Sequence, residues 1–177
     1  MHELSMQLDE QEMRKRAQRI SLVLTDCDGV LTDNGVYYSA NGEELKRFSV
    51  RDGMGVERLR RNDVDTAIMT RENSASVRKR AEKLKLRFLY CSVRDKQAHL
   101  AIVLNQTGLK LHHLAYIGDD VNDFEIIQTV GEVGLTACPQ DAMPAVRSIV
   151  HYRCAAPGGY GAFRDFAEWL LRLREEA

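Results

Sequence analysis

From Ile20 onward, short apolar runs alternate with longer stretches in which apolar residues recur every three or four positions. The run Ile20–Thr25 is brief and stops abruptly at Asp26, as a buried strand does. Val36–Tyr38 and Leu45–Phe48 flank the turn-like Ser39-Ala40-Asn41-Gly42 and predict a β-hairpin, within about residues 33–49. Met54–Arg61 predicts a helix with Val56 and Leu59 on one face. The pattern then repeats. Val64–Met69, Leu86–Tyr90 and His113–Ile117 predict strands, and Ser74–Leu84 predicts a helix. Asp95 can cap a further helix whose apolar face is expected at Ala98, Ala101, Ile102 and Leu104. Another helix follows Asp120 to about Val130. Glu132–Thr136 and Ser148–Tyr152 predict two more short strands. A closing helix over Gly161–Arg174 carries Phe163, Phe166, Ala167 and Leu170 on one side.

Strands alternating with helices imply an α/β fold, a parallel sheet covered on both faces. In such sheets ligands bind beyond the carboxyl ends of the strands. Asp26, Thr70 and Asp119 each follow a predicted strand, so three polar residues converge on that edge. The polar stretch before Ile20 predicts a short arm or helix over residues 1–19, leaving 20–177 as a single domain.

The bulk properties narrow the class. The net charge of −1 leaves no basic footprint for nucleic acid. No apolar run approaches the roughly 20 residues needed to span a bilayer, and the polar N-terminal stretch does not resemble a secretory signal. Cys27, Cys91, Cys138 and Cys154 are widely spaced, which suits reduced thiols in the cytoplasm better than a disulfide framework or a zinc site.

The chemistry concentrates in two acidic motifs. In Asp26-Cys27-Asp28-Gly29 the two carboxylates, at i and i+2, face one site, and Gly29 permits a sharp turn. Close carboxylates repel unless a proton or cation compensates, and magnesium is a cation suited to carboxylates and phosphate. Gly118-Asp119-Asp120-Val121-Asn122-Asp123 adds three carboxylates at another strand end. Turn capping and the helix dipole are the bland explanations for such acids. Thr70 could hold a phosphate oxygen, and Lys96 could neutralise a phosphate and a nucleophile. Either alone is uninformative.

Taken in order, D-x-D-G, Thr, Lys and G-D-D-x-x-D resemble the four motifs of the haloacid dehalogenase (HAD) superfamily, across nearly the whole chain from Ile20. The order separates the chain from signalling receiver domains, whose Lys comes last. The resemblance implies a three-layer Rossmann-like fold. It also implies Asp26 as nucleophile, Asp28 as general acid/base, Thr70 and Lys96 as phosphoryl-binding groups, and Mg2+ between Asp26, the Asp28 carbonyl and Asp119. Asp120 and Asp123 would support the metal or Lys96.

The segments on either side of Thr70 hold only a hairpin, helices and a strand, so no cap domain is expected. Leu31-Thr32-Asp33, Phe48–Gly55 and Pro157–Ala162 resemble the capless sugar-acid phosphatases, those for 3-deoxy-D-manno-octulosonate 8-phosphate and for nonulosonate 9-phosphates. That branch implies a homotetramer with sites at subunit interfaces. Arg51, Arg71, Glu72, Gly158 and Gly159 are then candidate substrate-binding residues. One departure stands out. Arg71-Glu72-Asn73 replaces the Gly-Arg-Lys common in octulosonate phosphatases, and Glu72 resembles the nonulosonate branch. Two other readings stay open: a non-catalytic assembly module, and a phosphatase for another small ester.

Overall fold

A computed structural model describes residues 8–175. The first residues of the polar N-terminal stretch, 1–7, lie outside the described residues. The remainder of that stretch forms α1 (Glu10–Arg19), capped by Asp9, whose carboxylate accepts from the Glu12 amide. Arg16 donates to the carbonyls of Gly131 and Gly134, and Ala17 is fully buried, so α1 is fastened to the body.

β1 (Leu22–Thr25) is followed by an antiparallel hairpin of β2 (Thr32–Ser39) and β3 (Gly42–Phe48). Then come α2 (Val50–Arg60), β4 (Asp65–Met69), α3 (Ala75–Lys83), β5 (Phe88–Tyr90), α4 (Lys96–Thr107) and β6 (Leu114–Ile117). The chain closes with α5 (Phe124–Gly131), β7 (Leu135–Cys138), the short α6 (Pro144–Arg147), β8 (Tyr152–Arg153) and α7 (Ala162–Glu175). The main sheet has the order β5-β4-β1-β6-β7-β8 and every pairing in it is parallel. This is the α/β architecture the alternation predicts, with the hairpin as the one insertion.

β1 alternates its side chains between two cores. Val23 joins Leu59, Ile68, Val77, Phe163, Phe166 and Leu170 beneath α1, α2, α3 and α7. Leu22 and Leu24 join Met69, Leu100, Tyr116, Ile126 and Val146 beneath α4, α5 and α6. Because both faces are covered, the central strands are mostly apolar, as in Leu22-Val23-Leu24 of β1 and Leu114–Ile117 of β6.

Four expectations shift. Ser49, whose hydroxyl accepts from the amides of Arg51 and Asp52, caps α2 and starts it at Val50 rather than Met54. The strand expected at Glu132–Thr136 begins at Leu135, because Gly134 sits tight against β6: a Cβ there would lie 2.2 Å from the Leu114 carbonyl oxygen. The last strand is only Tyr152–Arg153, because residues 148–151 form the turn out of α6. The inward face of α4 carries Lys96, Leu100 and Val103, whereas Ala98, Ala101 and Ile102 are exposed. The buried Lys96 fixes that face, since residues four and seven positions on must follow it inward.

Candidate active site

The site lies at the carboxyl edge of β1, β4 and β6. Asp26 leaves β1 with its amide still paired to the Ile117 carbonyl of β6, at 3.0 Å. Its Oδ1 accepts from the Cys27 amide and its Oδ2 lies 2.9 Å from Lys96 Nζ. The chain then doubles back. The Cys27 carbonyl accepts from the amides of Val30, Leu31 and Thr32, and Gly29 takes φ +83°. A side chain at Gly29 would strike Asp119: its Cβ would lie 1.9 Å from Asp119 Oδ2.

Thr70 follows β4 and is buried. Its Oγ1 accepts from the Glu72 amide, leaving the O–H to donate into the cleft. Lys96, 2% exposed, heads α4 and donates to Asp123 Oδ1 at 2.6 Å as well as reaching Asp26. With three donors it retains one for a ligand.

The three acids of the second motif divide their work. Asp123 is saturated. Its Oδ1 accepts from Lys96 and from Tyr116 Oη, and its Oδ2 from the amides of Asp119 and Asp120. Asp120 caps the following 3-10 turn by accepting from the Val121 amide. Asp119 is different: Oδ2 accepts from Asn34 Nδ2 at 3.2 Å, but Oδ1 is buried without a hydrogen-bond partner.

Carboxylate oxygens of Asp26, Asp119 and Asp123 lie within 4.8 Å of one another. Burial, then the charge of Asp123, pushes Asp26 up to about 8, against the opposing pull of Lys96. Burial and Asp123 likewise push Asp119 up to about 7. Buried carboxylates this close need protons or a cation. An orphaned acceptor on Asp119 beside Asp26 fits a hard divalent cation, and the saturated Asp123 fits a support for Lys96 and Asp119.

The cleft in front is lined by Asp26, Asp28, Thr70, Arg71, Glu72 and Asp119, among others. The catalytic and metal-binding candidates from sequence therefore meet in one place, with Arg71 and Glu72 at the rim. Arg51, Gly158 and Gly159 do not line it. Arg51 is exposed on α2 beside Gly161. Gly158 and Gly159 pack behind the turn after the nucleophile, where Gly159 donates its amide to the Val30 carbonyl.

Sequence reasoning missed three residues at this site. Asn34 holds Asp119 from a left-handed conformation, φ 62°, that asparagine tolerates; its position before Gly35 was the available signal. Tyr116 reaches Asp123 from inside β6, and Lys46 reaches Asp28 from the hairpin. Neither contact leaves a trace in local sequence.

No family model matches the chain. Among curated proteins it is 33% identical over 162 residues to the 3-deoxy-D-manno-octulosonate 8-phosphate phosphatase KdsC of Haemophilus influenzae, covering 92% of this chain and 88% of that one. It is 35% identical to the same phosphatase of Yersinia pestis, covering 92% and 85%. Its structure superposes with a TM-score of 0.86 on the Moraxella catarrhalis phosphatase in complex with magnesium, phosphate and KDO, at 31% identity and 94% coverage of both chains. A cobalt-bound form of the Haemophilus influenzae phosphatase superposes with a TM-score of 0.85, at 32% identity, covering 90% of this chain and 92% of that one. The chain therefore belongs to the KdsC-type 3-deoxy-D-manno-octulosonate 8-phosphate phosphatase family of the HAD superfamily, and is a phosphoric monoester hydrolase.

Proposed function

We propose that the chain hydrolyses the terminal phosphate of a 2-keto-3-deoxy sugar acid through an aspartyl phosphate on Asp26, with Mg2+ as cofactor. The observation that carries this reading is the meeting of the Asp26 and Asp119 carboxylates beside the buried Lys96 ammonium. When bound to Asp26, Asp119 and the Asp28 carbonyl, Mg2+ supplies charge stabilisation and orientation for the transferring group.

In the first step an Asp26 oxygen forms a bond to phosphorus. The bond from phosphorus to the sugar oxygen breaks, its electron pair stays with that oxygen, and the Asp28 carboxyl supplies the proton. In the second step a water oxygen attacks phosphorus and gives its proton to the Asp28 carboxylate. The Asp26–phosphorus bond breaks and its pair returns to Asp26. Thr70 Oγ1 and Lys96 Nζ bind the phosphoryl oxygens throughout.

The test is magnesium-dependent phosphate release from 3-deoxy-D-manno-octulosonate 8-phosphate and from nonulosonate 9-phosphates. Release from neither, by folded and magnesium-loaded protein, would overturn the sugar-acid assignment. The names of the relatives favour the octulosonate ester; Glu72 at the rim favours a nonulosonate. Arg71 carries no ion pair among the described residues and is free to meet the substrate's carboxylate. Arg71→Gly is expected to raise KM about tenfold with kcat little changed, the worth of one exposed charge-assisted bond. Unchanged kinetics on every sugar-acid phosphate would remove Arg71 from recognition.

Titration supplies a second test. In metal-free protein Asp26 and Asp119 keep protons in the fold that unfolded carboxylates have already released. The folded state then binds more protons between about pH 4 and pH 8, so stability falls as pH rises through that window. Magnesium replaces those protons. The gain in Tm on adding Mg2+ is therefore expected to be larger at pH 8 than at pH 6, with proton release measurable by calorimetry. A gain independent of pH would argue against cation-for-proton exchange at this site.

Residues 20–177 act as one catalytic domain in this reading, in the cytoplasm and as a homotetramer. Exposed Tyr37, Tyr38 and Leu45 on the hairpin support assembly, and light scattering tests it. Among the described residues no helix is long and apolar enough to cross a membrane.

A further inference from the structure

The hairpin inverts the usual order of burial. Leu45 is 63% exposed, whereas the side chain of its neighbour Lys46 is 1% exposed. A buried ammonium is costly without a partner. Here the partner is Asp28: Lys46 Nζ lies 2.7 Å from both of its carboxylate oxygens. Glu43, three residues earlier on β3, lies 3.5 Å from the same ammonium and also accepts from Ser74 Oγ. Ser74 in turn caps α3, just beyond Thr70. A continuous polar chain thus runs from the cap of α3 through the hairpin to Asp28.

We propose that Lys46 is a positioning residue. It aims Asp28 at the leaving group and receives the negative charge the carboxyl acquires as its proton departs. The inference rests on the role proposed above for Asp28. As the bond from phosphorus to the leaving oxygen breaks, that oxygen takes the Asp28 proton, and the new carboxylate forms against an ammonium already in place. Preorganised charge of this kind acts without reorganisation at the moment of reaction. Glu43, on the same strand, holds the Lys46 ammonium in place against Asp28. This accounts for the second carboxylate and for a hairpin that buries its lysine and exposes its leucine.

The role predicts a dependence on the leaving group. An alkoxide leaves only with a proton, whereas p-nitrophenolate leaves without one. In single-turnover experiments with enzyme in excess, Lys46→Met should slow sugar-acid release from octulosonate 8-phosphate about 100-fold, as loss of general acid catalysis does. It should slow p-nitrophenol release from p-nitrophenyl phosphate less than about threefold. Lys46→Arg, which keeps a cation able to grip both oxygens, should return the sugar-acid rate to within about tenfold of wild type. Equal losses on the two substrates, or no loss on either, would overturn the proposal. If Lys46→Met does not fold, Glu43→Gln reads the same contrast at about tenfold against twofold, and equal effects there are equally fatal. Failure of wild type on both substrates, or activity retained by Asp26→Asn, would instead strike the underlying phosphatase reading.

Discussion

Replacing Asp26 by Asn is expected to lower phosphate release by about 10^4-fold or more while leaving the fold intact or firmer. The activity loss follows from removing the attacking oxygen, which neither Asp28 nor Asp119 is placed to replace. The stability expectation is less obvious. Asp26 is buried beside Asp119 and Asp123, and only Lys96 offsets them. The amide removes one repelling charge and leaves the Lys96–Asp123 pair, at 2.6 Å, complete. The metal-free Asp26→Asn variant at pH 8 should therefore melt at or above the wild-type temperature, and its gain on adding magnesium should shrink. Calorimetric melts with and without Mg2+, beside a phosphate-release assay, check both halves. A large drop in the metal-free Tm would mean that Asp26 holds the structure together as well as doing chemistry. Active sites commonly trade stability for function in this way.

The second large effect lies outside the cleft. Gly158→Ala should cost about 3 kcal/mol, or roughly 6–12 °C in Tm for a chain of this size. The added Cβ would lie 1.9 Å from the Gly29 carbonyl oxygen and 2.6 Å from its carbon, both backbone atoms that cannot swing aside. The Gly158 amide also donates to Asp141, so the tail has little room to retreat. Pushing on Gly29 moves Asp28 and crowds Asp119. A misplacement of about 1 Å at reacting groups costs on the order of 100-fold in kcat/KM. Thermal melts and kinetics of the Gly158→Ala variant test this together. Wild-type values in both would mean that the turn after the nucleophile does not lean on the tail.

How much of this was legible in the sequence depends on the range of the interaction. Asp26, Thr70 and Asp119 could be found because each follows closely on a strand, and a strand end is a local pattern. Lys96 was legible only through the order of the motifs. On periodicity alone it was misjudged with its helix: the apolar positions Ala98, Ala101 and Ile102 suggested one face, and the buried lysine selects another. Lys46 was missed for the mirror reason, a charged residue beside Leu45 on a strand that reads as half-exposed. Asn34 and Tyr116 serve the acids through contacts across the fold, and a single sequence does not encode which side chains meet. Gly158 and Gly159 were read, from the resemblance, as candidate substrate-binding residues. The structure identifies what comes close: the chain's own turn, at Gly29 and Asp33.

The order of the strands also sets a timetable. β1 pairs with β4 on one edge and with β6 on the other, Leu22 standing opposite both Asp65 and Leu114. The amide of Asp26 is bonded to Ile117, and Asp119 lies two residues further on. During synthesis β1 emerges 114 − 22 = 92 residues ahead of its second neighbour. At about 5–20 residues per second this leaves the β6-facing edge of an apolar strand open for roughly 5–20 s. In that interval the nucleophile exists as a residue, but the carboxylate that faces it has not been made. A ribosome stalled between the second and fourth motifs would display a half-built sheet, a substrate for chaperones with no capacity to hydrolyse anything.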